Sequence, residues 1–357
     1  MASWQSQVDR EATLAAARHA AMRPPMRPRL SPWLVPVDLG DERLQLRCAQ
    51  SSHTLAHPVL AQTFRRIEPL LNGQHTIEEI TALAAPEAEP TTVVFLLNLL
   101  HGKGLLQPGP GEGTLDGEQR ARWERQLRFL SHFGPDAEAM QSALAKSAVG
   151  LAGSAALCQG VRDNLERAGV GRLTDLAAPS DWQSGDGELN AGLNLIVACA
   201  DSAAFEFFDA VNRVCLASGN RWLRVCCVGV VAHLGPTIVP NHSACYKCFD
   251  LRQQSHQPEF EGYRGYRSHL GVTGVPDEGS VAPLASALAS QAAIEVLRLL
   301  TGFAPPVTVG RFYEFGASDP GSVGHDVLRV PRCSVCSRRR TFTQAWDRDF
   351  EPESAAL

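Results

Sequence analysis

The sequence predicts an α/β protein: a doubly wound, mainly parallel sheet preceded by a smaller α+β module. Three observations predict it. From residue 118 onward, apolar strand patterns alternate with helical ones, as in sheets whose parallel strands are joined by crossover helices. Residues 31–107 instead place their strand patterns first and three short helical patterns after them. Between the two lies PGPGEGTLDG (108–117), rich in Pro and Gly and without periodicity, which reads as a linker. The chain has 357 residues, about twice an ordinary single domain. The expected division is a tail (1–30), a first domain (31–107), the linker (108–117) and an α/β domain (118–357).

In the tail, residues 13–22 have a short helical pattern ended by Pro24, Pro25 and Pro28. In the first domain, PWLVPVDLG (32–40) and ERLQLRCAQ (42–50) flank a Gly-Asp turn and read as a hairpin. A third short strand is expected near His53–Ala56. Three helices follow, over Leu60–Leu71, from Thr76, and over Pro90–His101. Thr76 and Glu79 have capping-box spacing, and Gly102 and Gly104 follow the third helix. Leu105–Gln107 closes the module as a strand. Three strands, then three short helices, describe a winged-helix-like unit.

In the α/β domain, Ser147–Ala152 reads as a buried strand, Ala155–Ala168 as a helix and Arg172–Leu176 as a strand. Leu193–Ala198 is a further strand, Ala203–Ala217 a helix, and Trp222–Val231 one long strand. Leu284–Leu300 is an amphipathic helix ending near Gly302. Val307–Phe315 and Gly324–Val330 look like late antiparallel strands.

The formal net charge is −5, which excludes a generally basic nucleic-acid binder and gives no sign of a membrane-surface protein. The apolar helix TTVVFLLNLLHGK also argues against a DNA-binding regulator, whose recognition helix would be rich in Lys and Arg. No run approaches the roughly 18 uninterrupted apolar residues of a membrane span. The start, MASWQSQVDREATL, lacks the basic and apolar regions of an export signal. The expected compartment is therefore the cytoplasm, where thiols stay reduced.

Ten cysteines include two C-x-x-C pairs, CYKC (Cys245, Cys248) and CSVC (Cys333, Cys336). Two such pairs supply four thiolates to one tetrahedral Zn²⁺. Unrelated free thiols or redox pairs are the plainer reading, but a redox motif needs only one copy. A fully thiolate site keeps no open position, so the zinc would be structural. The other six cysteines sit mostly in apolar runs and read as small buried hydrophobes.

GLAGSAALCQGVRDNLERAGVG (150–171) follows a buried strand and opens a helix, where a nucleotide-binding α/β domain has its glycine-rich loop. With Gly150 as the first glycine, the second and third positions are Ala152 and Ala155, and Gly153 breaks the G-x-G-x-x-G spacing. Methyl groups there obstruct the approach of a pyrophosphate, so the nucleotide site is degenerate. Asp201 ends the strand LIVACAD, over the usual ligand crevice. It could hold Mg²⁺ or a substrate, or simply cap the helix that follows.

HLGPTIVPNHSACYKC (233–248), the helix Leu284–Leu300 and VLRVPRCSVC (327–336) together resemble the ThiF/MoeB/HesA group, the ubiquitin-activating-enzyme-like adenylating proteins. WERQLRFLSHFG (123–134) looks like their arginine-glutamine opening segment, with Arg125 and Gln126 at matching positions. The resemblance covers roughly residues 120–340. Its specific part is the paired C-x-x-C with the GPT-x-V-P approach. Residues 31–107 resemble the PqqD-like peptide-recognition element in strand–helix order and in LLNGQHTIEEI (70–80). The two modules in this order are similar to the leader-binding, ocin-ThiF-like partners of YcaO cyclodehydratases. Those serve the biosynthesis of thiazole/oxazole-modified, microcin-type antibiotic peptides.

The resemblance implies a Rossmann-type fold, a precursor leader peptide and a YcaO-type cyclodehydratase as partners, and allows a homodimer through the ThiF-like domain. It also implies what an adenylating member needs: a glycine loop, an acidic residue for ribose, an Arg and a Lys on the phosphates, and the crevice Asp. Only 48 positions separate Gly153 from Asp201, and between Gly171 and Asp201 the sequence has Arg172 and no lysine. The whole chain has three lysines against thirty arginines. The family's nucleophilic cysteine finds no match, since Cys226 and Cys227 sit inside an apolar strand. The expectation is a non-catalytic scaffold with no need of ATP. The alternative is an ATP-dependent enzyme adenylating a peptide carboxylate. For the leader, the expected clamp is the strand edge near Thr54-Leu55 faced by the third helix. There Val93, Leu96, Leu97 and Leu100 form one stripe. Such a stripe often packs a module's own core, whereas Val94 and Phe95 lie off it.

Overall fold

The computed structural model of the protein describes residues 24–337, apart from 41–42, 50, 86, 110–113, 135, 181, 183–191, 274–277 and 320. The helical pattern over 13–22 lies outside the described residues. The chain divides into two compact units, residues 1–146 with 297–305 and residues 147–296 with 306–357.

In the first unit, β1 (Pro28–Leu30) pairs antiparallel with β5 (Leu106–Pro108). A second sheet has the order β2 (Val35–Gly40), β3 (Arg43–Arg47), β4 (Ser52–Leu55). Gly40 takes φ +72° at the turn out of β2, a conformation that costs glycine little. Three helices follow, α1 (Pro58–Ile67), α2 (Ile77–Ala84) and α3 (Pro90–Gly102). The capping box holds α2: Glu79 N–H donates to Thr76 Oγ1 at 3.2 Å and Thr76 N–H to Glu79 Oε2 at 2.8 Å. The core joins Leu44, Leu46, Phe64, Ile67, Ile80, Leu96 and Leu100, all buried. Each such side chain contributes roughly 1.5–3 kcal/mol.

The unit does not stop at residue 107. Asp116, inside the expected linker, caps α4 (Gly117–Leu130) through a second capping box with Gln119. Arg120 on α4 ion-pairs with Glu138 on α5 (Ala137–Lys146) at 2.7 Å. Leu130 and Ala137 pack with Phe303 and Ala304, and Phe303 makes edge contacts with Phe129. The division therefore falls after Lys146 rather than within 108–117, and residues 297–305 return to the first unit.

The second unit is built on a seven-stranded sheet. Its strands are β6 (Ala148–Gly153), β7 (Arg172–Asp175), β8 (Leu195–Ala200), β9 (Trp222–Val228), β10 (Val231–Ile238), β11 (Arg311–Gly316) and β12 (Ser322–Asp326), in the order β12-β11-β10-β9-β8-β6-β7. The four strands β7, β6, β8 and β9 are parallel; the rest pair antiparallel. Every residue of β8 is buried, as expected of a strand covered on both faces. The single long strand expected over Trp222–Val231 is instead a hairpin. Val228 pairs with Val231 across Gly229 and Val230, and Gly229 takes φ +56°. Gly229, at the first turn position, is the one mark of this two-residue turn, and the apolar residues on both sides of it read as a continuous strand.

The helices of this unit are α6 (Ala155–Arg167), α7 (Phe205–Ser218), α8 (Tyr246–Ser255), α9 (Phe260–Thr273) and most of α10 (Ala282–Thr301). By length and composition α10 could cross a membrane, but Leu288, Ala292 and Val296 are buried within the protein. Its buried Glu295 accepts from Thr308 N–H and Oγ1, both at 2.8 Å, which satisfies a carboxylate that burial would otherwise penalise.

Candidate metal centre and strand-end crevice

Cys245 is the N-cap of α8 and Cys248 lies in its first turn. Cys333 and Cys336 lie on the turn that follows Val330, where Cys333 N–H donates to the Val330 carbonyl. Two side chain–backbone bonds tie the turn to α8 and to the segment just before it. Arg252 Nε donates to the Leu328 carbonyl at 2.6 Å, and Arg329 Nε to the Ser243 carbonyl at 3.0 Å. All four sulfurs lie within 4.8 Å of one another. The separations are 3.9 Å for Cys245–Cys248, 3.7 Å for Cys245–Cys333 and 3.5 Å for Cys248–Cys336. A tetrahedron with metal–sulfur bonds of about 2.3 Å has edges of about 3.8 Å, so the four residues fit one metal ion. Three are buried and Cys336 is half-buried. The Cys248 thiol is pushed down to about 5 by its hydrogen bond with Cys245, helped by the Val330 N–H at 3.3 Å. Burial pushes Cys336 up to about 11.

The sheet turns in opposite directions from β6: β7 lies on one side and β8 on the other. The carboxyl ends of β6 and β8 therefore open a crevice of the kind that holds ligands in open α/β sheets. Gly153 ends β6 at φ +103°, and a Cβ there would lie 2.0 Å from the Cys199 carbonyl. Glycine is required at this close approach. Gly150 has a different role. It sits inside the buried strand, where a Cβ would meet Leu176 Cδ1 at 2.7 Å. It is a packing glycine and no part of a phosphate loop. Asp201 is exposed and accepts from Ser154 Oγ at 2.7 Å. It does not cap the next helix: the N-cap of α7 is Ala204, without a side-chain bond.

Two groups at this crevice escaped the reading of the sequence. Ser154, whose Oγ donates to Asp201, carries no spacing signal in the sequence. Asp175 ends β7 about 20 residues after the glycine, the position of a ribose-binding acid in dinucleotide folds; that spacing was the available signal. Its carboxylate is bonded to Arg162 of α6.

In the first unit, β4 is an edge strand, paired only with β3 among the described residues. Thr54 is exposed and Leu55 is buried. Val93, Leu96, Leu97 and Leu100 are at most 1% exposed and belong to the core. They are not the wall of a groove. A helix that is apolar nearly all round turns its 3–4 stripe inward, and its leftover apolar groups, Val94 and Phe95, are the exposed ones, at 42% and 58%. The helix packed along β4 is α1, while α3 lies against α1, α2 and β5.

Residues 180–332 match the model of the ThiF family. No curated protein matches the sequence. Among solved structures, E. coli MccB with MccA-N7isoAsn is similar at a TM-score of 0.64 and 14% identity, over 87% of this chain and 99% of that one. The heterocyclase TruD is similar at 0.64 and 22% identity, over 92% of this chain and 45% of that one. A heterocyclase in complex with substrate and cofactor gives 0.64 and 22%, over 91% of this chain and 41% of that one. At these identities the likeness is one of fold. The chain spans less than half the length of the heterocyclases.

Proposed function

The chain carries a ThiF family domain, and on that premise we propose that it is a non-catalytic scaffold of peptide modification. It binds the leader of a ribosomal precursor peptide and presents it to a YcaO-type cyclodehydratase for azoline or azole formation. A winged-helix-like first unit captures the leader. Zn²⁺ on Cys245, Cys248, Cys333 and Cys336 is structural: it ties α8 to the 328–337 turn and leaves no coordination position for a reactant. When bound, the ion supplies cross-linking and no reaction step.

One observation carries the non-catalytic part. Nucleotidyl transfer relies on cations placed beforehand around the phosphates. Arg172 stands at the start of β7, in register with Ala148, at the opposite end of the strands from Gly153 and Asp201. Arg162 is engaged by Asp175 and Glu166. Residues 183–191 contain no lysine or arginine. The matched structures support the peptide-modification setting. MccB is known with MccA and with ATP, the heterocyclase with substrate and cofactor, and the shared fold exceeds the extent of the second unit alone.

A second reading, ATP-dependent adenylation of a peptide carboxylate, is favoured by the bonded Ser154–Asp201 pair beside Gly153 and by Asp175 at the end of β7. ATP–pyrophosphate exchange decides between the two.

The leader adds to the open edge of β4 at Thr54 and Leu55, drawing on main-chain hydrogen bonds, with exposed Val59 of α1 beside it. Fluorescence polarisation of the full chain with a labelled leader, taken from precursor peptides encoded beside its gene, tests this. Micromolar or tighter binding is expected, weakened at least tenfold in Val59→Asp. Leader binding with no exchange supports the scaffold. Exchange that depends on Asp201 replaces it with the enzyme, and absence of leader binding removes both the clamp and the scaffold.

A further inference from the structure

Arg224 is the one charged residue of β9, in the otherwise apolar run WLRVCCV, and it is 7% exposed. Its guanidinium lies between two aromatic faces, 4.9 Å from the Phe208 ring centre and 5.0 Å from that of Phe249. Nη1 donates to the Gly235 carbonyl at 3.3 Å, and Nε is buried without a partner. Among the described residues no carboxylate pairs with it. A buried charge left uncompensated is destabilising, and an anion placed against it removes the penalty.

The acids nearby are committed elsewhere. Asp250 accepts from Lys247 Nζ at 3.2 Å, from Gln254 Nε2 at 2.9 Å and from Arg267. Glu314 is bonded to His233 Nε2 at 3.0 Å. Burial, with the Arg224 charge adding to it, holds His233 down at about 4, so it is neutral at pH 7 and brings no second cation.

Arg224 lines a cavity of about 210 Å³ in the second unit, together with Phe205, Gln253, Gln257 and Tyr263. The amino end of α7 lines it too, and its N-cap Ala204 supplies no side-chain acceptor. First-turn amides and the positive end of the helix dipole therefore favour the same charge as the guanidinium. We propose that this cavity binds a small carboxylate, its anionic group on Arg224 and the α7 amino end, its body against Phe205, Phe208 and Tyr263. One unpaired positive charge matches one negative charge. The Asp250 carboxylate in the wall opposes a dianion, so phosphate is disfavoured. The site stands apart from leader capture: a chain that fails to bind any leader can still bind the acid.

Calorimetric titration of the full chain with benzoate, N-acetylglycine, their amides and inorganic phosphate tests it. Saturable one-to-one binding of an acid is expected, at least tenfold tighter than its amide. It should be abolished in Arg224→Gln and retained within tenfold in Arg224→Lys. Preference for N-acetylglycine assigns the site to a peptide carboxyl terminus; preference for benzoate assigns it to a free aromatic acid. Gln257→Trp fills the cavity while leaving Arg224 in the sequence, and should abolish binding in a folded chain even if Arg224→Gln does not fold. Failure of both acids, equal binding of an amide, tighter binding of phosphate, or full binding by Gln257→Trp overturns the proposal.

Discussion

In one region of the second unit, four sulfurs from segments 88 positions apart close to within 4.8 Å of one another. In another, Gly153, Ser154 and Asp201 meet at the carboxyl ends of β6 and β8, and the partner of the aspartate is a serine hydroxyl. The two regions answer to different constraints. A tetrathiolate centre holds its ion only when complete, and its binding energy is folding energy. A strand-end crevice is produced by topology alone. It persists for as long as the sheet does, whether or not cations surround it. Intact geometry at a crevice is therefore weak support for chemistry there, whereas four converging cysteines are strong support for a metal.

The largest expected effect falls on the metal side. Cys333→Ser should reduce bound metal from about one equivalent to near none and lower stability by at least about 3 kcal/mol. Elemental analysis and urea unfolding read the two together. A variant that keeps its stability would show that the cluster is not what holds the fold.

Next comes Gly153→Ala, which places a methyl against the Cys199 carbonyl at a φ that L-residues rarely adopt. It should cost about 2–4 kcal/mol. Gly150→Ala meets only side-chain atoms of Leu176 and Leu193 and no backbone, and should cost about 1–2 kcal/mol. Thermal unfolding of the pair shows whether the crevice glycine is held by backbone geometry; equal losses would remove the distinction.

The smallest effect is expected for Asp201→Ala. It removes one exposed hydrogen bond and should change stability by less than about 1 kcal/mol. Leader affinity should stay within about threefold, a change of roughly 0.7 kcal/mol. Polarisation titration of the variant checks it, and a larger loss would move the crevice from remnant to working site.

Several features were legible because they depend on near neighbours in sequence. The Thr76–Glu79 capping box forms across three residues, and both of its bonds are present. The cysteine pairs declare themselves by C-x-x-C spacing. The helical stripe Val93, Leu96, Leu97, Leu100 was correctly read as one face, but its side of the helix was not. Periodicity says which residues share a face and not what covers it. The Asp116 cap was hidden inside a Gly/Pro-rich stretch, where composition outweighed the D-x-x-Q pattern. The β9–β10 turn left no polar mark.

By itself, the sequence determined the alternation of strands and helices, the Thr76–Glu79 cap and the two cysteine pairs that converge, because periodicity, capping and C-x-x-C spacing are local. Only the tertiary structure decided that α4 and α5 join the first unit, that β9 folds back into β10 as an antiparallel hairpin, and that the α3 stripe is core. It alone left Arg224 buried between two rings beside a cavity. These outcomes depend on which surfaces meet across long separations, and the free energy of burial is settled by the partner surface rather than by the residue itself.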